Sequence, residues 1–389
     1  MKDRTLLMIP GPIEFEPAVL QALGAPTTSH VAPNFIEAFG QALERMREVW
    51  LCPSGQPFVV AGSGTLAMDM AGANLIEPGD RALVLSTGTF GERYAELLAR
   101  YGAEVTVLSA PLGGTVDLEE VEAALRNGSY KLMTVTHVDT STGVRVDPQP
   151  LGALGQEYGV LTVLDGVCSV AGEELRQEAW SIDLALTASQ KAIGVPPGLA
   201  LLVAGPRVMD AWRARQTPVG NYYADWSRWL PIMEAYEARR PSYFGTPPVN
   251  LICALNVSLE QILAEGMEAR FARHRRLGEA CKAAIGALGL DQVPTDPAHA
   301  AATLTAPYYP EGITGPDLLP KVKAAGAILA GGLHPQIKAL YFRIGHMGAT
   351  KPGDLLATIG ALEAGLRACG YEFEPGVGVA AAQRVLVDW

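Results

Sequence analysis

Cysteine is scarce in this 389-residue sequence: Cys52, Cys168, Cys253, Cys281 and Cys369 stand far apart, with no CxxC pair and no His/Cys cluster. Such spacing excludes a disulfide framework, argues against a zinc site, and fits a reducing cytoplasm. Positive charge is also in short supply, with 30 Lys and Arg against 41 Asp and Glu and a formal net charge of −11. No basic run or basic–aromatic patch appears, so nucleic acid is not the expected partner. No window approaches the ~18 uninterrupted apolar residues of a membrane-crossing helix. The opening MKDRTLLMIPGP lacks the apolar core of a secretion signal, and the closing VLVDW matches no address signal. A soluble, membrane-free, cytoplasmic protein is expected. GxGxxG and Walker-type loops are missing too, which weighs against a dinucleotide-dependent oxidoreductase and a nucleoside triphosphatase. Fixed-period repeats and low-complexity tracts are absent.

What is present is alternation. PFVVAGS (57–63), ALVLST (82–87), EVTVLS (104–109), YKLMTVTHV (130–138), VLTVLDG (160–166), LALTAS (184–189) and LALLVAG (199–205) read as strands. Amphipathic stretches such as RYAELLARYG (93–102) and LEEVEAALRNG (118–128) lie between them. Continuous apolar strands separated by helices imply an α/β architecture with a mostly parallel sheet covered on both faces. One long charged helix is expected over roughly 258–289, leading into a smaller α+β unit. That unit has strands within 301–309, 326–333 and 339–345 and helices at 315–325 and 353–369. The expected division is an amino-terminal arm over 1–20, a large domain over 21–258 and a small carboxy-terminal domain over 259–389. Residues 213–249 are rich in Pro, Trp and Tyr and carry few regular signals; so long a loop usually serves function or an interface.

The residues with chemical potential sit at strand ends. In ALTASQKAIG (185–194), Lys191 has no acidic residue within seven positions on either side. On a surface loop it would be ordinary; buried without a carboxylate, its pKa falls toward the range where the neutral amine can condense with an aldehyde. AGSGTLAMDM (61–70) runs a strand through Ser63, Gly64 and Thr65 into a helical pattern. Free N–H groups, glycines and hydroxyls there make a phosphate cup, although an ordinary strand-to-helix turn favours the same residues. Asp165 closes an apolar strand, where a carboxylate either caps the following turn or meets a cation. THVDTSTGV (136–144) lines up Asp139, Thr140, Ser141 and Thr142, and STGTFGER (86–93) places Phe90 after a third strand, as core or as a stacking ring. Arg343, in YFRIGHMG (341–348), requires a planar anion, whether an internal carboxylate or a substrate's. Taken together, these specify a ligand with a phosphate, a planar ring, a ring nitrogen that gains from a carboxylate, and an aldehyde: pyridoxal 5'-phosphate.

On these residues the chain resembles the class V aminotransferases of fold type I, within them the alanine–glyoxylate and serine–pyruvate group. The resemblance runs from PGP (10–12) to about residue 365 and is carried by AGSGTL (61–66), STGTFGER, THVDTSTGV, DGVCS (165–169), DLALTASQKAIGVPPG (183–198), YFGTPPV (243–249), LAGGLH (329–334) and RIGHMG (343–348). It implies a homodimer with shared active sites and Lys191 as the lysine that condenses with the cofactor aldehyde. Ser63, Gly64, Thr65 and Gln190 would hold the phosphate, joined by Tyr243 and Thr246 from the neighbouring subunit. Phe90 and Val167 would cover the two ring faces, Asp165 would pair with the ring nitrogen, and Thr140 would lie near the phenolic oxygen. Arg343 would clamp the substrate α-carboxylate. No second cation in these motifs is obviously placed for a side-chain carboxylate, although Arg239 or Arg240 of a second subunit could approach. Small amino acids and small 2-oxo acids are therefore the expected substrates, with alanine and glyoxylate first and serine as alternative donor. A lyase or cysteine desulfurase shares the scaffold, but Cys168 reads as core and Cys369 lies outside the motifs. The tail after about residue 370 matches nothing in the pattern.

Overall fold

Seven apolar segments assemble one sheet in the computed structural model, which describes residues 5–387. They are β1 (Gln56–Ala61), β2 (Arg81–Ser86), β3 (Glu104–Ser109), β4 (Leu132–Thr136), β5 (Leu161–Asp165), β6 (Leu184–Ala188) and β7 (Leu199–Ala204). Their spatial order is β1-β7-β6-β5-β4-β2-β3. Every residue of β4 through β7 is buried, which is why these strands read as unbroken apolar runs. β3, at the sheet's edge, has no buried residue, and its sequence mixes polar with apolar positions. Only β7 runs against its neighbours. The cause is local: residues 189–198 between β6 and β7 are too few for a helical crossover, so the chain doubles back.

Two large apolar cores and two smaller clusters result. One gathers residues from Val19 to Phe271 around the sheet; the other joins Met8 to residues between Leu277 and Leu386. The second core packs under a three-stranded sheet of β8 (Leu304–Thr305), β9 (Ala330–Gly331) and β10 (Phe342–Gly345), ordered β8-β10-β9. These strands are much shorter than their apolar sequence stretches suggest.

The structure corrects the expected long helix over 258–289. Two helices, Val249–Glu265 and Met267–Ala287, meet at Gly266, whose φ of +83° is open to glycine and strained for other residues. The stretch 213–249 is also more regular than expected, because helix Trp226–Glu237 lies within it. Asp225 caps that helix by accepting from Ser227 N, and Trp226, Trp229 and Tyr236 are buried despite the interior Pro231. Among the described residues, no helix is long and apolar enough to cross a membrane.

The unassigned tail forms helix Val377–Leu386, packed on helix Met267–Ala287. It is fastened by Glu363, whose carboxylate accepts from Gly376 N at 2.8 Å, Gly378 N at 2.9 Å and Val379 N at 3.1 Å. Replacing Glu363 with Ala leaves three amides at a helix start without their acceptor, a cost of about 2 kcal/mol. The expected result is a lower urea midpoint and faster amide exchange across 376–386, with Glu363→Gln retaining part of the protection.

Candidate active site

Three neighbouring parallel strands bring their carboxyl ends to one edge, with Thr136, Asp165 and Leu186 in register. In open α/β sheets ligands collect at this edge. A cavity of about 190 Å³ opens there, lined by Ser63, Gly64, Thr65, Met68, Phe90, Arg93, Val138, Thr140, Asp165, Val167, Cys168, Gln190 and Lys191. Larger clefts occur, one of about 650 Å³ beside Arg270 and Arg273, but they do not combine a lysine, a strand-end carboxylate and a helix start.

Lys191 stands on the tight β6–β7 connection. Ser189 rigidifies this loop: its hydroxyl donates to Pro196 O at 2.8 Å and accepts from Leu199 N at 3.2 Å. Gly194 N donates to Lys191 O at 2.8 Å. The Lys191 side chain is 9% exposed and has no ion pair among the described residues; its Nζ donates to the Pro10 carbonyl. Gly11 gives it room, since a Cβ there would lie 2.6 Å from Lys191 Cδ and 2.9 Å from Nζ, and its φ is +117°. Burial pushes the amine's pKa down, and the nearby Arg343 charge acts in the same direction.

Asp165 is 3% exposed and accepts from Val167 N at 3.0 Å. Burial raises its pKa to about 6, with the Asp139 charge adding to the rise. The row of polar residues at 139–142 divides its labour. Asp139 accepts from Phe90 N at 2.9 Å and from Ser141 N and Oγ at 2.8 and 2.6 Å. Ser141 Oγ accepts from Thr89 N at 3.0 Å, and Thr142 Oγ1 donates to Thr87 O at 3.1 Å. These bonds fix the start of helix Thr89–Arg100 and hold Phe90 at the cavity, while Thr140 faces the cavity itself.

Opposite them, Ser63 adopts an extended conformation as the cap of helix Gly64–Leu75, yet its side chain makes no capping hydrogen bond. A Cβ on Gly64 would lie 2.7 Å from Val167 Cγ2, so glycine keeps the helix start close to Val167. Gln190 Oε1 is buried without a partner among the described residues. Ser63 and Thr65 are themselves exposed, leaving the cavity open on this side.

Arg343 stands just behind the lining. Its Nε donates to Gly331 O at 2.9 Å and its Nη1 to Thr140 O at 3.3 Å, and no carboxylate pairs with it among the described residues. The internal ion pair that its sequence context allowed is not formed. Tyr243 and Thr246 do not reach this cavity: Tyr243 is 63% exposed, with its hydroxyl 3.5 Å from Thr246 Oγ1. Sequence reasoning missed Met68, Val138 and Arg93. Arg93 lies one turn after Phe90 with its guanidinium 4.7 Å from the ring centre, and the three-residue helical spacing was the available signal. Cys168, expected as core, is buried but also lines the cavity, and burial pushes its thiol pKa up.

The raised Asp165 pKa has a consequence for stability in the cofactor-free chain. Its folded-state pKa exceeds the ordinary aspartate value, so the folded form holds the proton more tightly. Stability is then lost as pH rises from about 4 to about 6. Asp165→Asn removes this titration; relative to wild type the variant gains on the order of 3 kcal/mol at pH 7 and nothing of this kind at pH 4. Denaturation of both cofactor-free proteins across this range measures the difference, and parallel pH curves would refute the assignment.

The same architecture recurs in known proteins. The family profile for aminotransferase class-V matches residues 19–347. The chain is 41% identical over 362 residues to alanine–glyoxylate aminotransferase 1 of Saccharomyces cerevisiae, covering 90% of this chain and 93% of that one. Over 387 residues it is 29% identical to the serine–glyoxylate aminotransferase of Arabidopsis thaliana, covering 98% and 94% respectively. Among solved structures, that of the alanine–glyoxylate aminotransferase from Nostoc sp. matches with a TM-score of 0.88 at 31% identity, over 94% of this chain and 96% of that one. With a helix-flanked, mostly parallel sheet, a buried lysine at its edge and this match over most of its length, the chain belongs to the class-V aminotransferases of fold type I.

Proposed function

We propose that this aminotransferase uses pyridoxal 5'-phosphate to move the amino group of alanine to glyoxylate, giving pyruvate and glycine. The observation that carries the reading is the burial of Lys191, without a carboxylate partner, in one cavity with Asp165 and the start of helix Gly64–Leu75. The donor set suits the cofactor. The uncapped Ser63, the first amides of the helix and the orphaned Gln190 side chain suit a phosphate. Phe90 and Val167 suit the two faces of a flat ring, Asp165 its nitrogen and Thr140 its phenolic oxygen.

When bound, this cofactor supplies an aldehyde that captures amines and a ring that takes up the electrons left when an α-proton departs. The protein's residues do the rest. Asp165, once opposite a ring N–H, is held ionised by that positive charge, reversing the effect of its burial. Lys191 Nζ, depressed in pKa, is the base that takes the substrate α-proton and returns it. The Arg343 guanidinium grips the α-carboxylate and so orients the C–H bond to be broken.

Donor size follows from the remaining cations. Arg239 is already paired with Glu37 and Glu44, and Arg93 is packed over the Phe90 ring. Arg239 is thereby occupied, and Arg93, which lines the cavity, lies against a ring; that engagement supports alanine over aspartate. Serine is the second reading, supported by the similarity to the Arabidopsis enzyme. The desulfurase reading loses support because Cys168 is buried and its thiol is pushed away from the thiolate. Two copies would share each site: the exposed Ser63 and Thr65 at the cavity mouth, and the exposed Tyr243, support phosphate contacts from Tyr243 and Thr246 of a second copy.

Purified enzyme given alanine, serine or aspartate with glyoxylate should turn over alanine fastest; negligible turnover with alanine would reject this choice of donor. Lys191→Ala should lose the lysine-linked visible chromophore and at least about 10³-fold in kcat. Arg343→Gln should raise the donor KM by roughly 10- to 100-fold, the loss of one charge-assisted contact, while leaving the chromophore in place.

A further inference from the structure

Helix Met267–Ala287 passes from the first apolar core, to which Phe271 belongs, into the second, which contains Leu277. Its opening turns carry Arg270 and His274, 6% and 0% exposed, together with the partly buried Arg273. A buried guanidinium persists only where its N–H groups are used. Arg270 donates from Nε to Ala171 O at 2.7 Å, from Nη2 to Ala192 O at 2.7 Å, and from Nη1 to Glu265 Oε2 at 2.8 Å. Ala192 is the residue after Lys191, and Ala171, with φ of +63°, ends the turns that follow Asp165.

The neighbouring side chains point the other way. Arg273 Nη1 donates to Gly348 O at 3.0 Å and Thr350 O at 3.3 Å. His274 Nε2 accepts from Gly348 N at 2.9 Å, so its Nδ1 carries the hydrogen and donates to Arg270 O at 2.8 Å. Gly348 ends the RIGHMG stretch that begins with Arg343. Glu265 binds Arg270 and Arg273 together, meeting Arg273 Nε at 2.5 Å, and it can do so because the chain turns sharply at Gly266.

We propose that Arg270, Arg273 and His274 are positioning residues for amino-group transfer, bracing the Lys191 loop and the segment after Arg343 against each other across the junction of the two cores. The inference rests on the roles given above to Lys191 and Arg343. Arg270 governs the lysine end and His274 the arginine end, so the two ends separate in experiment. A misplacement of about 1 Å at a reacting group costs on the order of a hundredfold in rate, enough for such a brace to be read kinetically.

The test compares Arg270→Met, Arg270→Lys and His274→Phe with wild type. In the cofactor-free chain, amide exchange across 189–198 should quicken about tenfold in Arg270→Met while 343–350 holds; His274→Phe should show the reverse. After loading with pyridoxal 5'-phosphate, Arg270→Met should displace the pH titration of the lysine-linked chromophore. It should also lower kcat about tenfold with donor KM within about twofold, whereas His274→Phe should act mainly on donor KM. Arg270→Lys should recover part of each Arg270→Met effect, and where Arg270→Met does not fold, Arg270→Lys carries the comparison alone. Lower thermal stability with wild-type exchange at both segments, chromophore titration and kinetics would overturn the proposal, as would identical effects from both ends. Absence of a lysine-linked chromophore in wild type would instead refute the proposed function, and the cofactor-free exchange data would still report on the brace.

Discussion

Removal of the Lys191 amine from water is the constraint around which the site is organised. An isolated ammonium in an apolar setting is costly, and the usual remedy, a carboxylate at contact distance, is not supplied among the described residues. Burial pulls the amine's pKa down instead. Several independent features keep the side chain there. The β6–β7 connection is too short to wander, Ser189 ties it across its base, and Gly11 lets the amino-terminal segment lie directly on the lysine. The Pro10 carbonyl accepts a hydrogen bond from the amine, a neutral partner in place of a carboxylate.

Asp165 faces the complementary problem. Burial drives its proton affinity up as it drives that of Lys191 down, in the same cavity. The two form no ion pair among the described residues, although the charge of each favours that of the other. A ligand that brings its own cation to Asp165 and its own carbonyl carbon to Lys191 satisfies both at once. The anionic end of such a ligand would fall at Ser63 and Thr65, which are exposed and partly solvated, so the protein need not bury a full phosphate charge.

The strands and several residues that line the candidate cavity were legible because each leaves a local mark. Apolar runs of five or six residues marked the buried strands, and Asp165 and Lys191 stood out as charges at their ends. The break at Gly266 was not legible: buried apolar positions recur on both sides of it, and a lone glycine is tolerated inside a helix. Helix Trp226–Glu237 was masked by Pro231 and by aromatic residues with poor helix propensity, overridden here by burial of Trp226, Trp229 and Tyr236. Whether Arg343 had an internal partner could not be read from its apolar flanks, because the answer depends on residues far away in sequence. Tyr243 and Thr246 lie away from the cavity of their own chain, and the tail helix depends on Glu363, too remote in pattern to announce itself.

The loop at 139–142 joins parts of the chain far apart in sequence at the candidate site. Asp139 and Ser141 hold Phe90 in place, and the Thr140 side chain lines the cavity. The same loop is gripped from the carboxy-terminal part of the chain, because Arg343 Nη1 donates to Thr140 O and the Tyr341 hydroxyl donates to Ser141 O. Tyr341 in turn accepts from Leu333 N and His334 N at 2.8 and 3.0 Å. Arg343 Nε is occupied by Gly331 O, which leaves Nη2 without a partner among the described residues. The guanidinium is therefore oriented by carbonyls, which hold its plane without neutralising its charge. A carboxylate in the cavity would meet a cation already fixed in direction by the loop that places Phe90. Ring-facing and carboxylate-facing surfaces are then set relative to each other by four consecutive residues, and relative to Lys191 by the turn that carries Arg270 and His274.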